Sequence, residues 1–344
     1  MIKFCIAFLI VVVVISGESA SAQDPQFSQF YAAPLYLNPA FSGATGQARA
    51  GLNYRNQWPS ISASFVTSAA YFDYYFDEYN SGVGMLISTD REGLAGLRST
   101  SINLTYAYQL RINDYLTVRP GISAGYVVRN IDFSRLTFGD QFDPISGEVI
   151  LPVTNEAINF NNVNYLDLGA GALLYTENFW VGFSAHHLNT PDQAFTGTTE
   201  STLATKYSIH GGYKIKLPKV SYTKGQIPTR RERSITPTFQ YKTQGEFDQL
   251  DIGTYVTLEP VVFGLTYRGL PVKTLNGFPN NESIIFLVGM TYNGLNVGYS
   301  FDYTISDLGI SSGGAHEISI SYVFSLDDKR KPPKNVRQIP CPKF

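Results

Sequence analysis

Along most of this chain apolar and polar residues alternate with a period of two, and that pattern leaves few folds open. Successive side chains of an extended strand point to opposite faces, so strict alternation lines one face with apolar groups and the other with polar ones. Ile102, Leu104, Tyr106, Tyr108, Leu110 and Ile112 share one parity, with Ser101, Asn103, Thr105, Gln109 and Arg111 on the other. After Asn113-Asp114 the pattern restarts, setting Leu116, Val118, Ile122, Ala124, Tyr126 and Val128 against Thr117, Arg119, Gly121, Ser123, Gly125 and Arg129. Two such runs joined by a tight turn make a hairpin. Read this way the chain holds about fourteen strands. They begin near residues 47, 64, 82, 100, 115, 164, 178, 204, 234, 249, 260, 283, 294 and 314.

Composition decides which solvent the apolar faces meet. Only 16% of the residues are charged while 14% are aromatic, against about 25% charged in a soluble domain. Beyond residue 15 no apolar run approaches the ~20 residues of a membrane helix, so any span must be a strand. Backbone groups in lipid must all be paired, which an open sheet edge cannot provide, and the sheet therefore closes. The predicted fold is all-β: a transmembrane antiparallel barrel of about 14 strands in a bacterial outer membrane. Tyr54, Tyr74, Phe76, Tyr126, Phe179, Tyr213, Phe239, Tyr241, Tyr267, Tyr292, Tyr303, Tyr322 and Phe324 fall on apolar parities near strand ends, where an aromatic girdle belongs. A soluble β sandwich also alternates, but it leaves the sorting of the connections unexplained.

That sorting is a separate test, because outer-membrane barrels have short periplasmic turns and longer outside loops. Asn113-Asp114, Glu177-Asn178, Glu259-Pro260 and Asn293-Gly294 are tight joints after the fourth, sixth, tenth and twelfth strands. The long connections, residues 132–162, 189–202, 271–281 and 305–313, follow odd strands. Two joints fit less well, since residues 218–233 are long for a periplasmic turn and Gln244 to Asp248 short for an outside loop. An even strand count places both termini on the periplasmic side. Lys3, the apolar run Phe4 to Ile15 and Ala20-Ser21-Ala22 read as an export signal over residues 1–22, so the mature chain is expected to begin at Gln23. The remainder divides into an N-terminal periplasmic strap (23–45), the barrel (46–325) and a basic periplasmic tail (326–344). Cys5 departs with the signal, leaving Cys341 as the lone thiol and no internal disulfide. A net charge of -2 gives no basic field for nucleic acid.

The front of the mature chain carries a motif that barrel physics does not require. It reads Asp24-Pro25-Gln26-Phe27-Ser28-Gln29-Phe30, then Asn38-Pro39-Ala40-Phe41-Ser42-Gly43, followed by Tyr54-Arg55-Asn56-Gln57-Trp58-Pro59. These residues, and the closing run His316 to Tyr322, resemble the PorP/SprF family of Bacteroidota outer-membrane proteins from Gln23 to about Ser325. The tail from Leu326 to Phe344 continues past the last strand, whereas many barrels stop at a terminal aromatic, a place Phe324 is suited to fill. The resemblance implies a non-enzymatic component of the type IX secretion system, supporting gliding motility and the secretion or surface attachment of large adhesins. It implies, as partners, the system's periplasmic ring, a peptidoglycan-binding component and the C-terminal sorting domain of a secreted adhesin. It implies no cofactor, and it does not separate the core-machinery branch from the cargo-specific branch. The motif itself reads as a short strap closing the periplasmic mouth. A passive diffusion channel is the second reading.

Other candidate residues are weighed by parity. Residues 218–233 carry Lys219, Lys224, Arg230, Arg231 and Arg233, and the tail carries Lys329, Arg330, Lys331, Lys334, Arg337 and Lys343, each segment with a net charge of about +4 against a negative remainder. Arg230, Arg231, Arg233, Lys329, Arg330 and Lys331 are therefore expected to dock a periplasmic partner or an anionic surface. Arg49, Arg111, Arg119, Arg129, Asp167, Lys206, Asp251, Arg268, Asp302 and Glu317 face inward and read as a paired polar filling of the lumen, ahead of a selectivity filter. His186, His187, His210 and His316 form no metal pattern, and His187 is expected to face lipid at a strand end. Ser184 and His186 share the inner face but lack the second glycine of a nucleophile elbow. Asp140 and Asp143 lie in a loop whose Pro144, Gly147 and Pro152 explain it as turn chemistry.

Overall fold

In the computed structural model the alternating runs form a single closed sheet. The structure describes residues 24–344 apart from positions 63, 94–95, 133–135, 144–145, 147, 150–153, 155–161, 196–200, 219–231, 276–277, 307 and 327–337. The strands are β1 (Ala48–Gln57), β2 (Phe65–Phe76), β3 (Ser81–Glu92), β4 (Leu97–Tyr108), β5 (Leu110–Arg111), β6 (Thr117–Asn130), β7 (Val163–Tyr175) and β8 (Phe179–His186). They continue with β9 (Lys206–Tyr213), β10 (Ile215–Lys216), β11 (Arg233–Gln244), β12 (Phe247–Leu258), β13 (Val261–Leu275), β14 (Phe278–Tyr292), β15 (Leu295–Thr304) and β16 (Ala315–Phe324). The two-residue pieces β5 and β10 prolong β4 and β9, so the wall has fourteen antiparallel strands. Each strand pairs with its sequence neighbour, and β1 closes the ring on β16 from Ala48 opposite Phe324 to Gln57 opposite Ala315. No sheet edge along the barrel is left to meet lipid, which is the condition for crossing a bilayer with strands.

The outward parity is apolar as expected. Leu52, Leu104, Ile122, Leu166, Phe183, Ile252, Leu265, Phe286 and Ile320 are exposed, with Tyr54, Phe76, Tyr126, Phe179, Tyr213, Phe239, Tyr292, Tyr303 and Tyr322 among the aromatics nearer the ends. A soluble protein would bury such residues, whereas a membrane barrel presents them to lipid. Among the described residues no helix is long and apolar enough to cross a membrane.

Most of the connections separate by rim, the exceptions being the long one between β10 and β11 and the short one between β11 and β12. The joints at 77–80, 112–116, 176–178, 259–260 and 293–294 are short and share one end, the turn rim, where β1 begins and β16 ends. The connections at 131–162, 187–205 and 305–314 lie at the opposite end, the long rim. One expected loop is corrected: residues 271–281 are largely strand, because β13 and β14 continue their pairing to Leu275 and Phe278 past a bulge at Gly269. The hairpin therefore rises above its neighbours at the long rim.

Much of the lumen is occupied by the chain's own N-terminal segment. Residues 24–46 run inside the barrel from the long rim to the turn rim, by way of a short helix at Pro34–Leu37 and a 3-10 turn at Pro39–Phe41. Phe27, Phe30, Tyr31, Leu35, Leu37 and Phe41 are buried, and they pack with Leu86, Leu173, Trp180 and Tyr255 of the wall as the main core. The strap expected across the mouth is thus an internal plug. Its apolar side chains lose more water inside the lumen than they would across a rim, each at about 2 kcal/mol.

Candidate functional site

The plug is held by lumen charges that the alternation puts on the inner face, and the contacts form four tiers from rim to rim. At the long rim, Asp24 receives hydrogen bonds from Nε2 of His187 (2.7 Å) and from the Lys206 ammonium, while its backbone N–H donates to Gln244. His187 also bonds Asp167 through Nδ1 at 2.9 Å. Burial alone would lower the His187 pKa, but the two carboxylates outweigh it and raise the ring to about 9. Asp24 is in turn held well below the usual carboxylate range, burial being outweighed by Lys206 and His187.

The second tier is the densest. Glu317 accepts the backbone N–H groups of Ser28 (2.7 Å) and Gln29 (3.0 Å), one on each carboxylate oxygen. Ser28 Oγ donates to Asp302 at 2.6 Å, and Arg55 lies 2.9 Å from the same carboxylate and 3.4 Å from Glu317. Arg268 grips Asp251 with two nitrogens and reaches Asp302 at 3.3 Å. Gln29 completes the tier by donating to Ser300 and to the Glu317 carbonyl and accepting from Ser319. Five charges without water would be costly one by one; as an alternating network that also satisfies plug backbone they become an anchor.

In the third tier Asn38 works on both sides. Its Oδ1 caps the following turn at Ala40 N, and its Nδ2 donates to the Phe183 carbonyl and reaches His210 Nε2. The Phe41 ring stacks on His210 at 5.6 Å. Ser184, weighed above as a nucleophile, donates its hydroxyl to the Leu37 carbonyl at 2.9 Å and is fully buried. Near the turn rim Arg119 donates to the carbonyls of Ala40 and Ser42, and Asp73 accepts Gly43 N–H while holding Arg49 through both oxygens. Gly82 is needed here, because a Cβ would lie 1.9 Å from the Ser42 carbonyl oxygen.

The tail closes the turn-rim mouth. Ile339, Pro340, Pro342 and Phe344 are buried, with Cys341 packed partly against the core. Phe344 stacks on Tyr255 at 5.2 Å and fills the space where Gly289 has no side chain. Of the expected basic periplasmic tail, residues 339–344 are thus packed largely into the barrel mouth.

Of the motif residues, Asp24, Gln26, Phe27, Ser28, Gln29, Asn38, Ala40, Phe41 and Gly43 all make wall contacts or sit in the core, with Pro25 and Pro39 shaping the run between. Of the inward charges, Arg49, Arg119, Arg129, Asp167, Lys206, Asp251, Arg268, Asp302 and Glu317 line the interior, whereas Arg111 is exposed at the turn rim. His187 is corrected: it is buried and faces the lumen, since its positive φ of 58° breaks the alternation that would have turned it to lipid. Arg55, Asp73 and Lys242 were missed, although parity with Arg49, Tyr71 and Gln240 places each inward. Asp143 caps a turn by accepting Ser146 N–H. Of the proposed docking residues only Arg233 is described, donating to the Pro218 carbonyl at 3.5 Å; Arg230, Arg231, Lys329, Arg330 and Lys331 lie outside the described residues.

A closed fourteen-stranded barrel with a greasy belt and a plug of its own chain is an integral outer-membrane protein. The chain belongs to the type IX secretion system membrane protein family PorP/SprF, whose family model matches residues 19–322. No curated protein matches it in sequence. Among solved structures it is similar to the toluene transporter TodX of P. putida (8% identity, 84% of this chain and 93% of that one, TM-score 0.47). It is similar also to outer membrane protein Omp33 of Acinetobacter baumannii (11% identity, 81% and 98%, TM-score 0.41) and to the CymD monoaromatic hydrocarbon channel (14%, 86% and 93%, 0.41). These likenesses concern barrel form and carry no functional weight.

Proposed function

We propose that this member of the family is a non-enzymatic scaffold, carrying a secreted adhesin's C-terminal sorting domain on its long rim and touching the secretion machinery at its turn rim. The long rim then faces outside and the turn rim the periplasm, in keeping with the loop asymmetry of outer-membrane barrels. One observation supports this over a channel: the family motif and the last residues of the chain lie inside the barrel and pack against its wall. A barrel obstructed by its own sequence offers rims and a rigid body ahead of a path. The basic segments that include Arg230, Arg231, Arg233, Lys329, Arg330 and Lys331 supply the periplasmic contact with the ring and its peptidoglycan-binding component, by charge.

Isolation of the protein from outer membranes in mild detergent, with identification of what accompanies it, tests the reading. An adhesin or a secretion-system protein is expected, and recovery of neither sinks it. In a planar bilayer the intact protein is expected to pass no steady current; a stable open conductance would favour the diffusion channel.

A further inference from the structure

Above the plug, towards the long rim, the lumen retains a cavity of about 640 Å³ between the plug and the wall from β9 to β14. Its floor is apolar, formed by Phe27, Phe30 and Tyr36 of the plug. Gln240, Gln249 and Asn280 present side-chain amides from the wall. Most of the charges lining it are already committed. Asp24 holds Lys206, Asp248 holds Lys273 at 2.6 Å, and Glu282 faces Arg268 and Gln26; Glu246 stands exposed at the hairpin tip. The Lys242 ammonium makes no ion pair among the described residues and donates to the neutral Gln26 Oε1 at 2.6 Å. An ammonium has three donors, of which Gln26 takes one, and Lys242 lines the cavity.

We propose that this cavity receives the C-terminal end of another polypeptide, its terminal carboxylate on Lys242 and its last apolar side chain on the aromatic floor. The three features divide the work. A lone cation in a partly buried site favours an anion, and a carboxylate gains a charge-assisted hydrogen bond there. The floor favours an apolar side chain, and the wall amides offer further donors and acceptors that a peptide backbone can use and a fatty-acid chain cannot. Access from the long rim makes the source a protein on that side. The inference thus rests on the reading of that rim as the cargo side and adds a subsite to it.

The test is a titration of the purified full chain in detergent with three probes: N-acetyl-Gly-Ala-Phe as the free acid, the same peptide as its C-terminal amide, and octanoate. Trp58 lines the cavity and reports binding by fluorescence. The free acid is expected to bind roughly tenfold tighter than the amide, the scale of one charge-assisted hydrogen bond. Lys242→Gln is expected to abolish the difference between acid and amide, and retained binding of the amide shows that the cavity is still formed. Equal binding of acid and amide to the native protein, or discrimination that survives in K242Q, overturns the proposal. Octanoate binding as tightly as the peptide acid overturns the assignment to a polypeptide. The titration involves no cellular partner, so its outcome is separate from that of the co-purification experiment.

Discussion

His187 shows how much a single backbone angle decides. Its left-handed φ turns the ring inward, where Asp24 and Asp167 hold it, and the raised pKa makes this clamp pH-dependent. For a group raised from about 6.5 the contribution is complete below that pH and is lost as pH climbs through about 9. A shift of this size is worth up to about 3 kcal/mol locally. Amide exchange at Gln26 to Phe30, corrected for intrinsic rate, is expected to accelerate between pH 6.5 and 9, and H187A to remove that dependence. Asp24 is depressed, so its share persists in acid until the lowered value is reached. Gly82 is the opposite case, a residue whose value is having no side chain. Gly82→Ala drives a Cβ into the Ser42 carbonyl and is expected to unseat the lower plug, read as faster proteolysis between residues 38 and 46 with the barrel still folded.

At the scale of elements, strands were legible and the plug was not. The strand starts read from alternation fall close to those observed, the widest departure being the twelfth, expected near 283 and found at Phe278. Where both faces carry aromatics the signal weakens: β2 turns Tyr71 and Tyr75 inward and Phe72 and Phe76 outward, which hid Asp73 between them. The inner face is aromatic there because it meets an apolar plug instead of water. The plug was recognisable as a motif, but nothing local says that Phe27 and Phe41 lie inside a barrel. Glu317→Ala strips the acceptor from two plug N–H groups and one partner from Arg55, and is expected to cost about 3 kcal/mol. The measurement is plug exchange rate, with wall amides unchanged; equal protection in the variant would contradict the anchoring role of Glu317.

For the whole molecule, the two rims and the plugged lumen set the behaviour. Single cysteines at Asn113 and Asn293, on the turn rim, are expected to react with a membrane-impermeant label only after the outer membrane is breached, and one at Asn189 to react in intact cells. Reversal of that pattern would invert the proposed orientation. Deleting residues 24–45 removes the plug and is expected to convert a silent barrel into a conducting one in a planar bilayer. A variant that inserts but stays closed would mean that loops or the tail seal the lumen unaided.

The amino-acid sequence by itself determined the barrel, the strand number and the sorting of long and short connections. Each follows from a period-two pattern or a turn residue read over a few positions, and lipid permits no other closure of such strands. The internal course of residues 24–46, the inward turn of His187, the tall β13–β14 hairpin and the contact of Lys242 with Gln26 belonged to the tertiary structure alone. Their physical basis is contact between distant parts of the chain, as where the N–H of Ser28 meets a carboxylate 289 residues away. A local alternation shows that a carboxylate points into the lumen; only the closed cylinder shows what it finds there.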